Sequence, residues 1–465
     1  MKLSFTKNKD VDSEDIANKV QTFENIVGSS LVQKLIKAAT VKCKKCGKNR
    51  LEVAIDYYLG KRSDICLKCR LLVPVIKTVV GNSISIFGMS EKELIDLMQD
   101  SYWTKGLVSV IKGLGETGIE KPFVPAAPLQ VQWDLTDSEL SFEQIHDEID
   151  KLADFGVAHI TFIGEVDSTF IKHADDVGMY PCLTGNGFNL EKIDKYVDAG
   201  VKFVDISLES VNPKTHNEKL GIDNLWENAV ESIKKYNEKD VYMEVSTEVT
   251  QDNLLEIPQI IELLKHLGVG WYKLDVVNGD LIDNQRLELF KLIYIENING
   301  DMQILTNDPQ LGDVASTIMC NGMNMIPTHF FNLDYDKQAM KELGNYIGSC
   351  GAGRFYMAID GKGDIYPCEY FRDLKIANIR DDLDTMWLNN DILLKLTNKS
   401  NNYRLVYNAI KDVDIDYGGK LSNEFIEDFN IEIYIKIQDL LIASFIVSNN
   451  VLKSETIDKI KKIES

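Results

Sequence analysis

The stretch PLQVQWDLTDSELSFEQI, Pro128 to Ile145, reads as a strand running directly into a helix. Val131, Trp133 and Leu135 alternate with polar residues, the period of two expected for a strand. Asp137 or Ser138 is placed to cap the helix that follows. The same strand-to-helix switch recurs downstream. AHITFIGE leads into STFIKHADDVG, MYPCLTGNG into LEKIDKYVDAG, and KFVDISLES into LWENAVESIKKY. VYMEVSTEVT then leads into EIPQIIELLKHLG, and WYKLDVVN into a helix around Gln285–Ile298. Serial βα units predict parallel strands with right-handed crossovers, and Gly156, Gly178, Gly200 and Gly268 sit where helices should close. No early G-x-G-x-x-G follows the first strand, so a partial or full barrel is expected rather than an open dinucleotide-binding sheet. In either case ligands would bind at the C-terminal ends of the strands.

The chain has 465 residues, 44% of them hydrophobic, enough for a large core and more than one domain. Its net charge of -21 disfavours nucleic acid and anionic surfaces as general partners. The charge is uneven: residues 41–70 hold nine Lys/Arg against three acids. No run of about 18 apolar residues suggests a membrane-spanning helix. The start, MKLSFTKNKDVDSED, is too polar for a secretory signal. Eight cysteines in that setting predict free thiols or ligands in a cytoplasmic protein, at most peripheral to a membrane.

Four of those cysteines are regularly spaced. Cys43-Lys-Lys-Cys46 and Cys66-Leu-Lys-Cys69 are separated by nineteen residues, the spacing of a zinc ribbon or a rubredoxin-like site. Cys43, Cys46, Cys66 and Cys69 are therefore expected to hold one Zn or Fe ion. Four thiolates leave no open coordination position, which predicts a structural role. No aromatic is interleaved with the basic cluster, although Tyr57 and Tyr58 lie between the cysteine pairs, so nucleic acid is not an expected partner. Beyond the module, Ser90 to Glu93 fits a capping box, and Pro122, Pro125 and Pro128 make a stiff lead-in to the alternating region.

Several pieces of that region resemble the core of radical S-adenosylmethionine (SAM) enzymes. They are PLQVQWDLT, ITFIGEVDS, Thr184-Gly185-Asn186-Gly187, Ile206-Ser207-Leu208-Glu209 and the run His216 to Gly221. A second likeness covers Gly348 to Trp387, GSCGAGRFYMAIDGKGDIYPCEYFRDLKIANIRDDLDTMW, which resembles the SPASM-type auxiliary-cluster region of the same enzymes. The whole arrangement is most similar to archaeal radical SAM proteins of the tetraether-lipid-synthase type, which are implied to join lipid tails by C–C bond formation. The resemblance implies a [4Fe–4S] cluster and SAM as cofactors. It makes Glu165, Ser207 and Glu209 candidate SAM contacts, and Cys320, Cys350 and Cys368 candidate ligands of an auxiliary cluster.

The chain also departs from that pattern. The family's first strand ends in three closely spaced cysteines, whereas Asp134-Leu135-Thr136 here passes directly to Asp137-Ser138-Glu139-Leu140. The family's G-G-E-P is Ile163-Gly164-Glu165-Val166, the intervening auxiliary cysteine position is Met357, and no cysteine follows Cys368. Cys182 reads as a small core residue. His159, His173, His216 and His266 lack metal-ligand spacing, and Asp275 alone is a weak mouth residue. No H-E-x-x-H, G-x-S-x-G or Walker A pattern is present. In the C-terminal region Ile433, Ile437, Leu440, Leu441 and Phe445 recur at helical spacing, as in a docking stripe.

The expected fold is α/β: a parallel, partial TIM-like βα barrel with an N-terminal four-cysteine zinc-ribbon or rubredoxin-like module and a helical C-terminal region. The expected divisions are 1–40 N-terminal helical, 41–72 four-cysteine metal-binding ribbon, 73–127 helical linker, 128–300 barrel, 301–390 SPASM-like and 391–465 helical. The expected function is that of a radical-SAM-like protein that has lost the [4Fe–4S]/SAM site and acts as a non-catalytic partner or ligand-binding homologue. The alternatives are an active radical SAM enzyme of the tetraether-lipid-synthase type, with the cluster loop missing from this sequence, and a zinc-ribbon binding protein. The expected partners are an intact radical SAM paralogue or a second copy of the chain, with a lipid-like ligand.

Overall fold

The computed structural model describes residues 24–77, 98–119, 123–239, 241–276, 302–306 and 351–397, with isolated positions in 18–22, 92–96 and 281–296. The expected helix around Gln285–Ile298 falls on such isolated positions. The Ser90–Glu93 box, Cys320, Cys350 and the Ile433–Phe445 stripe lie outside the described residues.

The sheet is built as the alternation predicts. β1 (Gln130–Asp134), β2 (His159–Ile163), β3 (Tyr180–Gly185), β4 (Phe203–Ser207), β5 (Tyr242–Glu248), β6 (Trp271–Asp275) and β7 (Gln303–Thr306) pair side by side in chain order, all parallel. β8 (Tyr356–Ile359) then returns to the open edge of β1, again parallel. β9 (Asp364–Tyr366) and β10 (Ala377–Asn378) extend that edge antiparallel. The segment 301–390 thus supplies strands to both edges of the sheet that starts at β1. Among the described residues β7 and β8 do not pair, so these strands do not close a barrel among themselves.

Strictly sequential parallel strands with right-handed crossovers put every connecting helix on one face. The outer residues Val131, Trp133, Ile160, Phe162, Leu183, Val204, Ile206, Val245 and Leu274 are fully buried in one core with residues of those helices. Area removal at such positions is the main driving force for the sheet. The opposite, inner face mixes apolar residues with polar ones such as Gln132, Thr161, Thr184, Asp205, Glu244 and Lys273.

The first crossover begins later than expected. α5 (Phe142–Phe155) is capped by Ser141, whose side chain accepts from the Gln144 N–H, while Gln144 returns the bond to the Ser141 N–H. Neither Asp137 nor Ser138 caps it. Asp137 has φ +51°, and the Ser138 hydroxyl is engaged with the carbonyl of Gly361. The reciprocal box at Ser141 satisfies two backbone donors where a cap at 137 or 138 would satisfy one.

The N-terminal region also differs from a β-ribbon. α1 (Ser30–Ala39) precedes the first cysteine pair, and the pairs flank α2 (Arg50–Tyr58), with α3 (Leu67–Arg70) starting at the second pair. The cause lies in RLEVAIDYY: the Asn49 side chain caps the Leu51 N–H, and Leu51, Val53, Ala54 and Ile55 are buried. An isolated bridge, Lys42 to Asn49, is the hairpin-like element between the described residues of this module.

α4 (Ser101–Thr117) joins this module to the sheet. It lies against the ends at which strands begin. The Ser109 hydroxyl donates to the Ala127 carbonyl and accepts from the Ala127 N–H. Tyr102 packs edge-on to Tyr180 and His159, the first residues of β3 and β2. A Cβ at Gly113 would stand 2.5 Å from the Val124 carbonyl, so only glycine permits this approach. Lys42 reaches Asp154 and Lys105 the carbonyl of Ala153, both at the closing end of α5.

No helix among the described residues is long and apolar enough to cross a membrane.

Candidate functional site

Ligands of a parallel sheet gather where strands end, and the β1 exit is the first place to look. The Asp134 carboxylate accepts from the Thr136 N–H, and the Ser138 N–H bonds to the Leu135 carbonyl. The Ser138 hydroxyl and the Glu139 N–H both donate to the Gly361 carbonyl. A Cβ on Gly361 would lie 2.9 Å from the Thr136 carbonyl and 3.1 Å from the Ser138 Cα. Backbone of the β8–β9 turn therefore packs closely against this connection, and the loop offers no thiol.

The three residues expected to contact SAM belong to separate bonding sets. Glu165 is exposed and tied down locally: it accepts from the Asn189 N–H (2.9 Å) and pairs with Lys192 (2.7 Å). Ser207 ends β4 on the inner face. Glu209 is buried, taking Lys219 at 2.7 Å and the Glu248 N–H at 3.1 Å. Burial pushes the Glu209 carboxyl up, against the pull of Lys219. His216 Nδ1 accepts from the Glu209 N–H at 3.1 Å, and burial drops its imidazole to about 4, so it is neutral. The His216–Gly221 run thus fastens the β4 exit to the end of β5.

Residues of the Gly348–Trp387 run are also put to structural use. Arg354 is fully buried and donates to the Phe123 carbonyl (2.9 Å), while Trp387 Nε1 donates to the Pro125 carbonyl (2.9 Å). Both clamp the proline-rich lead-in to β1. Met357 lies in the outer-face core. Cys182 is buried, its thiol pushed up to about 12 by desolvation. Cys368 packs at the core margin.

The inner face carries a set of charged residues that the sequence reading missed, apart from Asp275. Asp205 on β4 stands opposite Glu244 on β5, and Ser246 stands opposite Lys273 on β6. Lys273 reaches back to Asp205 Oδ2 (3.4 Å), which also accepts from the Thr184 hydroxyl (3.2 Å). Glu244 is pushed up to about 8, by burial first and then by Asp205. Lys273 is held protonated, because Asp205 and Glu244 outweigh its desolvation. Tyr370, two residues beyond Cys368, crosses this face to donate to Asp275 at the β6 exit. A signal was present in the sequence. FVDIS, YMEVSTE and WYKLD alternate polar and apolar residues, whereas strands buried on both faces of a parallel sheet read as continuous apolar runs.

The four N-terminal cysteines converge. The Sγ atoms of Cys43 and Cys66 are 3.6 Å apart, those of Cys66 and Cys69 3.5 Å, and those of Cys46 and Cys69 3.9 Å. All four fall within 4.8 Å of one another. A tetrahedral ion with bonds of about 2.3 Å sets its sulfurs about 3.8 Å apart, so the four could hold a single ion. A cube spreads its thiolates over separate irons and needs them further apart. The Cys46 N–H lowers the Cys43 thiol to about 6, and the Cys69 N–H lowers Cys66. Burial among the other sulfurs raises Cys69, since crowded thiolates cannot all ionise without a cation.

Comparison with known proteins first gives the class. The fold is similar to that of Streptococcus suis SuiB bound to S-adenosylmethionine, with a TM-score of 0.50 and 12% identity over 78% of this chain and 86% of that one. The mostly parallel α/β sheet is therefore a fold shared with that protein. The particular relatives come from sequence. A stretch of 156 residues is 28% identical to the PqqA peptide cyclase of Bradyrhizobium diazoefficiens, covering 32% of this chain and 40% of that protein. A stretch of 142 residues is 28% identical to the AdoMet-dependent heme synthase of Methanosarcina barkeri, covering 29% and 41%. The chain thus matches about two fifths of the length of these curated relatives. No family model matches. These relatives support a place in the radical SAM superfamily, whose cofactors are SAM and iron–sulfur clusters. Among the described residues the β1 exit does not fit a SAM-binding cluster: its connection has no sulfur and is bonded instead to the Gly361 carbonyl.

Proposed function

We propose that this chain is a radical SAM-like protein that has lost the [4Fe–4S]/SAM site and serves as a non-catalytic partner or ligand-binding homologue. One observation carries the reading: the connection from Asp134 to Ser141 is thiol-free and bonded to the Gly361 carbonyl. A SAM-binding cube needs three thiolates beside it and one iron left open, and cysteine is the usual ligand for such clusters. Glu165, Ser207 and Glu209 are then rim residues rather than cofactor contacts. Cys43, Cys46, Cys66 and Cys69 are assigned one structural Zn or Fe. The order of cysteine module, parallel sheet and Gly348–Trp387 run is the basis for the finer likeness to tetraether-lipid-synthase-type proteins. It is also the basis for expecting an intact paralogue or a second copy as partner, and a lipid-like ligand.

The test is anaerobic purification and reconstitution with iron and sulfide. About one metal ion per chain is expected, with no cube absorption and no reductive cleavage of SAM. Four or more irons per chain together with SAM cleavage would overturn the loss of catalysis.

A further inference from the structure

We propose that the inner face between β4 and β6 is a binding site for a ligand bearing an aliphatic ammonium group, held by Asp205 and Glu244. The proposal deepens the ligand-binding arm of the reading above and rests on the inner face being open to a ligand. Cluster content and SAM cleavage test the other arm, so either can fail alone.

The argument starts from unmet hydrogen bonds. Asp205 is 8% exposed, and its Oδ2 is already shared by Thr184 and Lys273. Its Oδ1 is buried with no partner among the described residues. Glu244 is also 8% exposed. Register sets the two carboxyls opposite each other on neighbouring strands. Buried acceptors without donors are costly and rare. An ion pair serving only the fold would need Asp205 and Lys273 alone. It would leave both Glu244 and the second Asp205 oxygen unexplained.

Charge selects the ligand. Among the described residues Lys273 is the cation at this place, and four acids act on it: Asp205, Glu244, Glu369 and Asp275. Even with Glu244 protonated, Asp205, Glu369 and Asp275 outnumber Lys273, so an anion would meet net repulsion and a neutral amide would leave the excess charge uncompensated. An ammonium group supplies three donors and one positive charge. The four acids do not converge as metal ligands, since the one metal-like grouping among the described residues is the cysteine set. Tyr370, bonded to Asp275, closes the side toward the β6 exit.

Proton linkage gives a second readout. Glu244 faces Asp205 from β4 and Lys273 from β6, with Glu369 and Asp275 acting through Lys273. It is pushed up to about 8, so at neutral pH it carries a proton that an ammonium would displace. Binding should therefore release a proton and tighten as pH rises from 7 to 9.

The experiment is ligand-observed NMR on the full chain with n-butylamine, against n-butanol and butyrate as neutral and anionic controls. Saturable amine binding is expected, with the alcohol weaker by at least about tenfold, the effect of one lost charge-assisted bond. Glu244→Gln and Asp205→Asn should each weaken the amine by about the same factor, and Lys273→Met should strengthen it. A Gly-Lys-Gly peptide and SAM serve as competitors: displacement of butylamine by one of them identifies a peptide lysine or the sulfonium cofactor as the ammonium source. Equal binding of alcohol and amine, preference for butyrate, or amine binding that ignores both carboxyl variants overturns the site. Should a variant fail to fold, the wild-type ranking of the three probes decides alone.

Discussion

The Cys43–Cys69 module and the β1 exit sit at opposite ends of the same strands and differ in what holds them. The module has a small core of its own, centred on Val53, Ala54, Ile55 and Cys69. So small a core rarely suffices, and such modules depend on a metal or a cross-link. Its four sulfurs lie within 4.8 Å of one another, a set that is repulsive when ionised and cohesive around a cation. The β1 exit is the reverse case. Backbone hydrogen bonds to Gly361 and the Ser141 capping box order it without sulfur. The difference teaches that the sulfurs of this chain gather in a module where they could share one ion, while the β1 exit is ordered by backbone packing alone.

Removing metal should break the comparison most severely. Cys43→Ser with Cys66→Ser, or a strong chelator, should abolish metal content and the protection of α2 amides, because zinc affinity in such modules runs to about 10 kcal/mol or more. Hydrogen exchange reads α2 directly, and the sheet amides should be unchanged. Retained α2 protection in metal-free protein would show that packing, not the ion, holds the module.

Next in size is a pH effect from the inner face. Glu244 titrates near 8 when folded, above its ordinary 4.5, so the folded state binds the extra proton between those values. Stability contributed by this group is full below about pH 4.5 and is lost as pH rises toward 8, by up to about 1.4 kcal/mol per pH unit. Glu244→Gln should flatten that slope in urea melts. An unaltered slope would remove Glu244 as its cause.

The β1 exit can be probed more gently. Gly361→Ala should cost about 1–3 kcal/mol, since its Cβ meets the Thr136 carbonyl and the Ser138 Cα. Thermal melts measure it, and a neutral substitution would mean that the turn does not pack closely against this connection. Smallest is Ser141→Ala, expected to cost about 1 kcal/mol through the lost cap. If Asp137 or Ser138 took over, Ser141→Ala would leave the helix unaffected.

Much of the fold was legible because periodicity is a local property. Val131, Trp133, Ile160, Phe162, Val204 and Ile206 are apolar at alternate positions, and each is buried against the helices. The cysteine pairs were legible for a similar reason, since C-x2-C turns fix their own geometry. The ribbon expectation failed at α2, where Asn49 and the burial of Leu51, Ala54 and Ile55 favour a helix. The α5 cap was misplaced because Ser138 is drawn to Gly361, 223 residues away. The inner-face charges were passed over because they appear one per strand and gather only when β4, β5 and β6 lie side by side.

What the order of residues settled here is what neighbours in the chain settle: strand and helix periods, the two C-x2-C turns, and the want of sulfur between Asp134 and Ser141. What needed the folded chain is everything that depends on register and long-range contact. Asp205, Glu244 and Lys273 become one electrostatic unit only through strand pairing, and Arg354 and Trp387 become clamps only by meeting the lead-in to β1. Pattern travels along the chain, but charge and packing act through space.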